Sequence, residues 1–200
     1  MMKTNWLIVL LILLVVACDD EAPTKEPDEP ALPTAIAPLS GMLQNNDGSY
    51  VLDTNDFGSA VFIQKDSFVL ASISLKNFAP NTVHAIHLHA GTCENPGMHW
   101  NQGKDMSHSF CNEKSLGITW GKPMAGDVGN ASVGYDGTGS LEIKTDLWEV
   151  GTGSEKDITG AVLVIHETFE DFTTECDPNH GAHPHDNAKI ACGTLSPVTQ

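Results

Sequence analysis

Apolar residues along this chain come in short runs separated by turn chemistry. GMLQ, SYVLD, SAVFIQ, SFVLASISL, TVHAIHLH, SVGYD, GSLEIKT, GAVLVIHE and AKIACGTL are rich in β-branched residues, with NNDG, KDS, APN, YDGTG and GTGSEKD between them. Runs of this length with this punctuation predict strands. Within SFVLASISL the alternation puts Phe68, Leu70, Ile73 and Leu75 on the apolar side, with one slip near Ala71. No amphipathic helical stretch of useful length and no internal repeat occurs, so an all-β sandwich or barrel is expected. Two segments break the pattern, one from about Ala90 to Gly129 and one from about Thr168 to Asn187. Both are poor in apolar residues and carry histidine, cysteine and acids. Loops this long in a compact domain are usually functional or disordered, and their cysteines argue against disorder.

The N-terminus follows a different logic. Lys3 precedes the apolar run WLIVLLILLVVA, which ends at Cys18. The run is short for a membrane span and fits a secretory signal. Val15-Val16-Ala17-Cys18 resembles a bacterial lipobox, in which cleavage before the cysteine exposes it for lipidation. An ordinary signal anchor ending in a chance cysteine is the alternative. Residues 1–17 are then the signal peptide and 18–38 an acidic, proline-rich tether with too little apolar surface to fold. Residues 39–200 remain for one domain. The expected location is the periplasm or cell envelope, lipid-anchored, with Asp19 favouring the inner membrane if the enteric sorting rule applies. A net charge of −16 with no arginine argues against nucleic acid and against anionic lipid as partners. Cys93, Cys111, Cys176 and Cys192 form an even set in an exported chain, which suggests two disulfides with three possible pairings.

The histidines carry the candidate chemistry. In HAIHLH, His87 and His89 share one strand face while His84 points the other way. Two imidazoles at this spacing can converge on one ion, and His166 at the end of an apolar strand and His99 in a long loop are further candidates. Imidazole-rich sites suit copper and zinc.

Five segments together resemble the copper/zinc superoxide dismutases: HAIHLHAGTCE, GMHWNQGKD, AGDVGNASVGYDGTGSL, VLVIHETFEDF and AKIACGTL. They follow the family's order and span about residues 41 to 196. The resemblance implies a Greek-key barrel of about eight antiparallel strands with two long functional loops. It implies copper ligands His87, His89, His99 and His166, with His99 bridging to zinc, and zinc ligands His99, His108 and Asp127. It also implies a Cys93–Cys192 disulfide and a non-ligand role for His84. Superoxide is the implied substrate, and His99 would release copper on reduction, take up a proton and deliver it to the product. No patch for a family-type dimer is legible in the sequence.

The chain departs from the family at the zinc site and at the anion-guiding position. Met124 stands where a third zinc histidine belongs, and a thioether is a poor zinc ligand, so the zinc site is expected to be empty, weak or completed from elsewhere. His180, His183 and His185 in HGAHPH are candidates for that completion or for copper capture, against a plain surface loop. Lys189 replaces the family's anion-guiding arginine and keeps the charge without the planar fork. Glu170 and Asp171 fall near the family's aspartate that links the metal-bound histidines, with Glu170 at the matching offset from His166. Cys111 and Cys176 lie one in each long loop, and a bridge between them would staple the loops and compensate for a weak zinc site. The expected function is copper-dependent superoxide dismutation, with His99 and Lys189 as catalytic residues. A copper carrier with little turnover is the second reading, and a metal-free structural module the third.

Overall fold

The computed structural model describes residues 31–105, 124–170 and 187–198. Cys18, His108, Cys111, Asp171, Cys176, His180, His183 and His185 lie outside the described residues, as do the signal peptide and most of the tether. The strands are β1 (Thr34–Gln44), β2 (Tyr50–Gln64), β3 (Val69–Leu75), β4 (Val83–His89), β5 (Asp127–Ser132), β6 (Gly139–Thr145), β7 (Val162–His166), β8 (Lys189–Thr194) and the short β9 (Ser196–Pro197). They pair antiparallel in the order β5-β4-β7-β8-β1-β2-β3-β6, with β9 on β1. A bridge between Val133 and Gly139 brings β5 and β6 towards each other, so the eight main strands nearly close a Greek-key barrel.

Alternation fills the interior. Phe62, Ile73, Ile86, Leu88, Leu163 and Ile165 project inward and are fully buried. Trp148 closes the core, edge-on to Phe62 at 5.9 Å, with its indole N–H donating to the Ala125 carbonyl at 2.7 Å.

Four details differ from the sequence reading. β1 starts at Thr34, inside the stretch read as tether, because Ala35, Ala37 and Leu39 alternate into the core opposite β2. Gly193 of β8 passes so close to β1 that a Cβ there would sit 2.3 Å from the Pro38 carbonyl oxygen. SYVLD and SAVFIQ are one 15-residue strand, β2, which bends at register shifts in its pairing with β1 instead of breaking. In β3 the buried positions are Val69, Ala71, Ile73 and Leu75 without a slip. Leu70 is exposed and Phe68 lies under the Lys144 ammonium, 4.0 Å from the ring centroid. The run SVGYD is mostly a turn: Asp136 accepts from the Thr138 amide and hydroxyl, and DVGNAS just before it makes the strand instead.

The wall formed by β4, β7 and β8 positions the chemistry. Its inward side joins the core, and its outward side carries Val162, Val164 and Cys192, packed with Met42, Tyr50 and Cys93. Cys93, in the loop after β4, is bonded to Cys192 of β8 with Cα atoms 5.7 Å apart. The Tyr50 amide donates to the Glu94 carbonyl at 2.9 Å, a second tie for the same loop. The disulfide closes a loop with a sequence separation of 99. Replacing both cysteines by serine is expected to cost about 2–5 kcal/mol of stability, read as a fall in the denaturant midpoint. An unchanged midpoint would show that the Tyr50 contact and loop packing suffice.

Candidate metal centre

Two strands and a returning loop bring the imidazoles together. In β4, His84 shares the parity of Ile86 and Leu88, while His87 and His89 share the outward parity of Ala85. β7 pairs with β4 so that Val164 faces His87 and Val162 faces His89, and His166 follows beyond a bulge at the strand end. The loop after Cys93 turns back along β4. Ala90 donates to the Met98 carbonyl at 3.1 Å, Trp100 donates to the Leu88 carbonyl at 2.8 Å, and His99 bridges to His89. Three chain segments therefore deliver His87, His89, His99 and His166 to one place.

The rings touch. Centroids of His87 and His99 are 4.1 Å apart, those of His87 and His166 4.7 Å, and those of His89 and His99 4.8 Å. One ring nitrogen from each of His87, His89 and His99 lies within 4.8 Å of the others. All four residues are largely buried, the His99 side chain being 10% exposed.

Hydrogen bonds fix which nitrogen of each ring faces the pocket. Carbonyls only accept, so the contacts His89 Nδ1 to Gly97 O (3.0 Å) and His166 Nδ1 to Asn187 O (3.0 Å) put the proton on Nδ1. Each ring then carries its lone pair on Nε2. His87 reverses the arrangement: with Glu170 ionised, Nε2 donates to the carboxylate, leaving Nδ1 as the lone-pair atom. His87 Nδ1 and His166 Nε2 stand 3.1 Å apart. Donors about 2.0 Å from one ion stand about 2.8–3.3 Å apart when they are neighbours in its shell. His89 Nε2 is buried without a hydrogen-bond partner. A buried polar atom left this way is costly unless a ligand meets it. The arrangement fits a metal ion held by imidazoles.

Burial first, then the charge of His99, holds His89 well below the usual histidine range, which keeps it neutral and available as a donor at pH 7. Burial, then the nearby Asp127 charge, pushes the Glu170 carboxyl up to about 7, while His99 pulls the other way. Asn130 holds Glu170 in place through a reciprocal pair, its amide donating to the Glu170 carbonyl at 2.7 Å and its oxygen accepting from the Glu170 amide at 2.9 Å. Asn187 ties the base of the second long loop, accepting from the Thr168 amide and hydroxyl and donating to its carbonyl, each at 3.0 Å. Sequence reading assigned no role to Asn130, Asn187 or Gly97, because nothing in composition marks a residue that acts through a neighbour.

The remaining predicted residues are placed as follows. His84 sits away from the cluster, with Nδ1 donating to the His166 carbonyl at 2.8 Å, Nε2 2.7 Å from Thr82 Oγ1, and its ring 4.8 Å from that of Phe78. Lys189 is the cross-strand partner of His166, half-buried, with Nζ 5.8 Å above the Tyr50 ring; burial pushes its pKa down. Asp127 is buried, with Oδ1 accepting from His99 Nδ1 at 2.7 Å. Met124 is buried three residues earlier, its amide donating to Asp127 Oδ2 at 3.3 Å.

Comparison with known proteins agrees with this geometry. A family model for copper/zinc superoxide dismutase matches residues 57–195. Superoxide dismutase Cu-Zn 1 of Aquifex aeolicus (strain VF5) is 27% identical over 147 residues, covering 69% of this chain and 79% of its own. Superoxide dismutase Cu-Zn 2 of the same organism is 27% identical over 148 residues, covering 78% of its length. Among solved structures, a histidine-substituted mutant of a SOD-like protein from Bacillus subtilis superposes with a TM-score of 0.53 and 23% identity, over 80% of this chain and 97% of that one. The clock protein EA4 superposes with a TM-score of 0.56 and 20% identity, over 84% and 96%. These two likenesses concern the fold alone. The family match spans more than half of the chain, from within β2 to the end of β8, and takes in all four clustered histidines: this chain belongs to the copper/zinc superoxide dismutase family.

Proposed function

We propose that the protein is a copper-dependent superoxide dismutase, held at the cell envelope by lipid on Cys18, with His87, His89, His99 and His166 as the copper ligands. The observation that carries the reading is His89 Nε2, a buried lone pair without a protein partner, aimed among neighbouring imidazoles. An all-imidazole donor set favours copper over the oxygen-seeking cations. Copper, when bound, supplies the one-electron couple that oxidises one superoxide to oxygen and reduces the next to hydrogen peroxide.

The chain's own residues supply orientation, charge and protons. Glu170, Gly97 and Asn187 fix the rings before metal arrives, which lowers the reorganisation needed to bind it. Lys189, on β8 opposite His166, provides a cation beside the site and is the group that draws the anion in. A body of net charge −16 opposes that attraction at long range. His99 is in contact with both the imidazole cluster and Asp127, so it is the ring placed to carry a proton towards the product. The second reading, a copper carrier, draws on the replacement of a guiding arginine by Lys189.

Elemental analysis of the purified protein paired with a dismutation assay separates the two. One copper per chain with rapid turnover is expected, and H99A is expected to lower turnover at least about tenfold. Copper without turnover would establish the carrier instead. K189R should raise kcat/KM about 2–10-fold at low ionic strength, with the gain shrinking as salt is added; no gain would remove Lys189 from substrate guidance.

Glu170 gives a pH-dependent outcome. A cation at the histidines favours the ionised carboxylate, so copper uptake at pH 7 should drive the proton off a group that titrates at about 7 in the metal-free chain. Proton release on copper addition, followed with an indicator dye, should fall by about half a proton per chain in E170Q. Equal release from both proteins would contradict the assignment.

A further inference from the structure

We propose that Asp127 is a positioning residue that holds His99 by a direct hydrogen bond and that this bond, with no zinc ion between the two side chains, sets the orientation of the ring. The proposal rests on the dismutase reading of the site.

Distance and donor chemistry both point this way. Two donors each about 2.0 Å from a tetrahedral zinc ion stand about 3.3 Å apart. His99 Nδ1 and Asp127 Oδ1 are 2.7 Å apart, the separation of a charge-assisted hydrogen bond. A zinc ion on Nδ1 would require that nitrogen to lose its proton, whereas a hydrogen bond to Oδ1 requires it to keep it. The second oxygen of Asp127 accepts from the Met124 amide at 3.3 Å, and the Asp127 amide donates back to the Met124 carbonyl at 3.2 Å. Met124 is the residue that stands where the family pattern has a zinc histidine, and a thioether is a poor partner for zinc.

The turn that presents Asp127 is fixed independently of any ion. The Ala125 amide donates to Asn101 Oδ1 at 3.0 Å, and the Gly126 carbonyl accepts from Leu88 at 2.8 Å. Gly126 is packed so closely that a Cβ there would lie 2.6 Å from the Trp100 carbonyl and 2.7 Å from that of Leu88. Trp100 follows His99 in sequence, and Leu88 lies between His87 and His89. The turn is thus pressed onto the two segments that supply copper-side histidines, and Asp127 reaches His99 from a backbone held by both.

The test uses the full chain loaded with Cu(I), which is diamagnetic, and histidine-selective 15N NMR. The His99 Nδ1–H signal is expected in the wild type, is expected to persist after one equivalent of zinc sulfate, and is expected in D127N, whose amide oxygen can still accept. It should be lost to exchange in D127A. In turnover with copper, kcat of D127A should fall about 10–100-fold with KM unchanged, and D127N should stay within about threefold of wild type. Loss of the Nδ1 proton on zinc addition, with one zinc retained per chain after dialysis, would overturn the proposal. So would D127A that keeps both the signal and kcat. If the wild type retains copper and shows no turnover, the dismutase reading falls, while the NMR arms still decide whether Asp127 or zinc holds His99. The zinc titration of the wild type needs no variant, so the proposal stays testable if D127A fails to fold.

Discussion

Packing several imidazoles against one another under a loop removes both nitrogens of each ring from water, and a buried polar atom without a partner is destabilising. In this protein one nitrogen of each ring is met by the chain itself: the carbonyls of Gly97 and Asn187 for His89 and His166, and the carboxylates of Glu170 and Asp127 for His87 and His99. These partners fix tautomers and ring directions, so the second nitrogens are turned towards a common point. The chain thereby gathers imidazole nitrogens in one place, and His89 Nε2 among them is buried without a hydrogen-bond partner, as a metal donor would be. That arrangement dictates much of the surrounding structure.

The barrel exists, for this purpose, as a rigid wall. β4 and β7 are buried on both sides, inward by the core and outward by Met42, Tyr50 and the loop that carries Cys93 and returns as Met98–Trp100, which is why VHAIHLH and VLVIH can hold histidine at positions that would otherwise be aliphatic. The disulfide to Cys192 and the Tyr50–Glu94 backbone contact anchor the loop that returns as Met98–Trp100. Without that return, His99 would have no reason to meet His89. Stability and site geometry are therefore supplied by the same contacts.

Much of this was legible in the sequence, for identifiable reasons. Strand parity alone separated His84 from His87 and His89, because a period of two is insensitive to tertiary context. The pairing of Cys93 with Cys192 and the placing of Glu170 as a link to the metal-site histidines followed from motif resemblance, not from periodicity; that His87 is its partner did not. What pattern misjudged were positions where packing chooses between similar side chains. Val69 and Ala71 took the inward face of β3 over Phe68 and Leu70, and TAIAP became strand because two alanines suffice to fill the space beneath it. The positioning residues Asn130 and Asn187 left no signal, since each acts through hydrogen bonds formed only once distant segments meet. Asp127 was legible as an acid at a metal-site position, but its direct bond to His99 was not.

The central claim is that the imidazoles of His87, His89, His99 and His166 together form one copper site. X-ray absorption at the copper edge of the Cu(II)-loaded full chain tests it most directly. The account predicts a first shell of about four nitrogens near 2.0 Å, with the outer-shell scattering of imidazole rings, reduced in H89A and in H166A. A shell dominated by oxygen, or a wild-type spectrum unchanged in both variants, would contradict it.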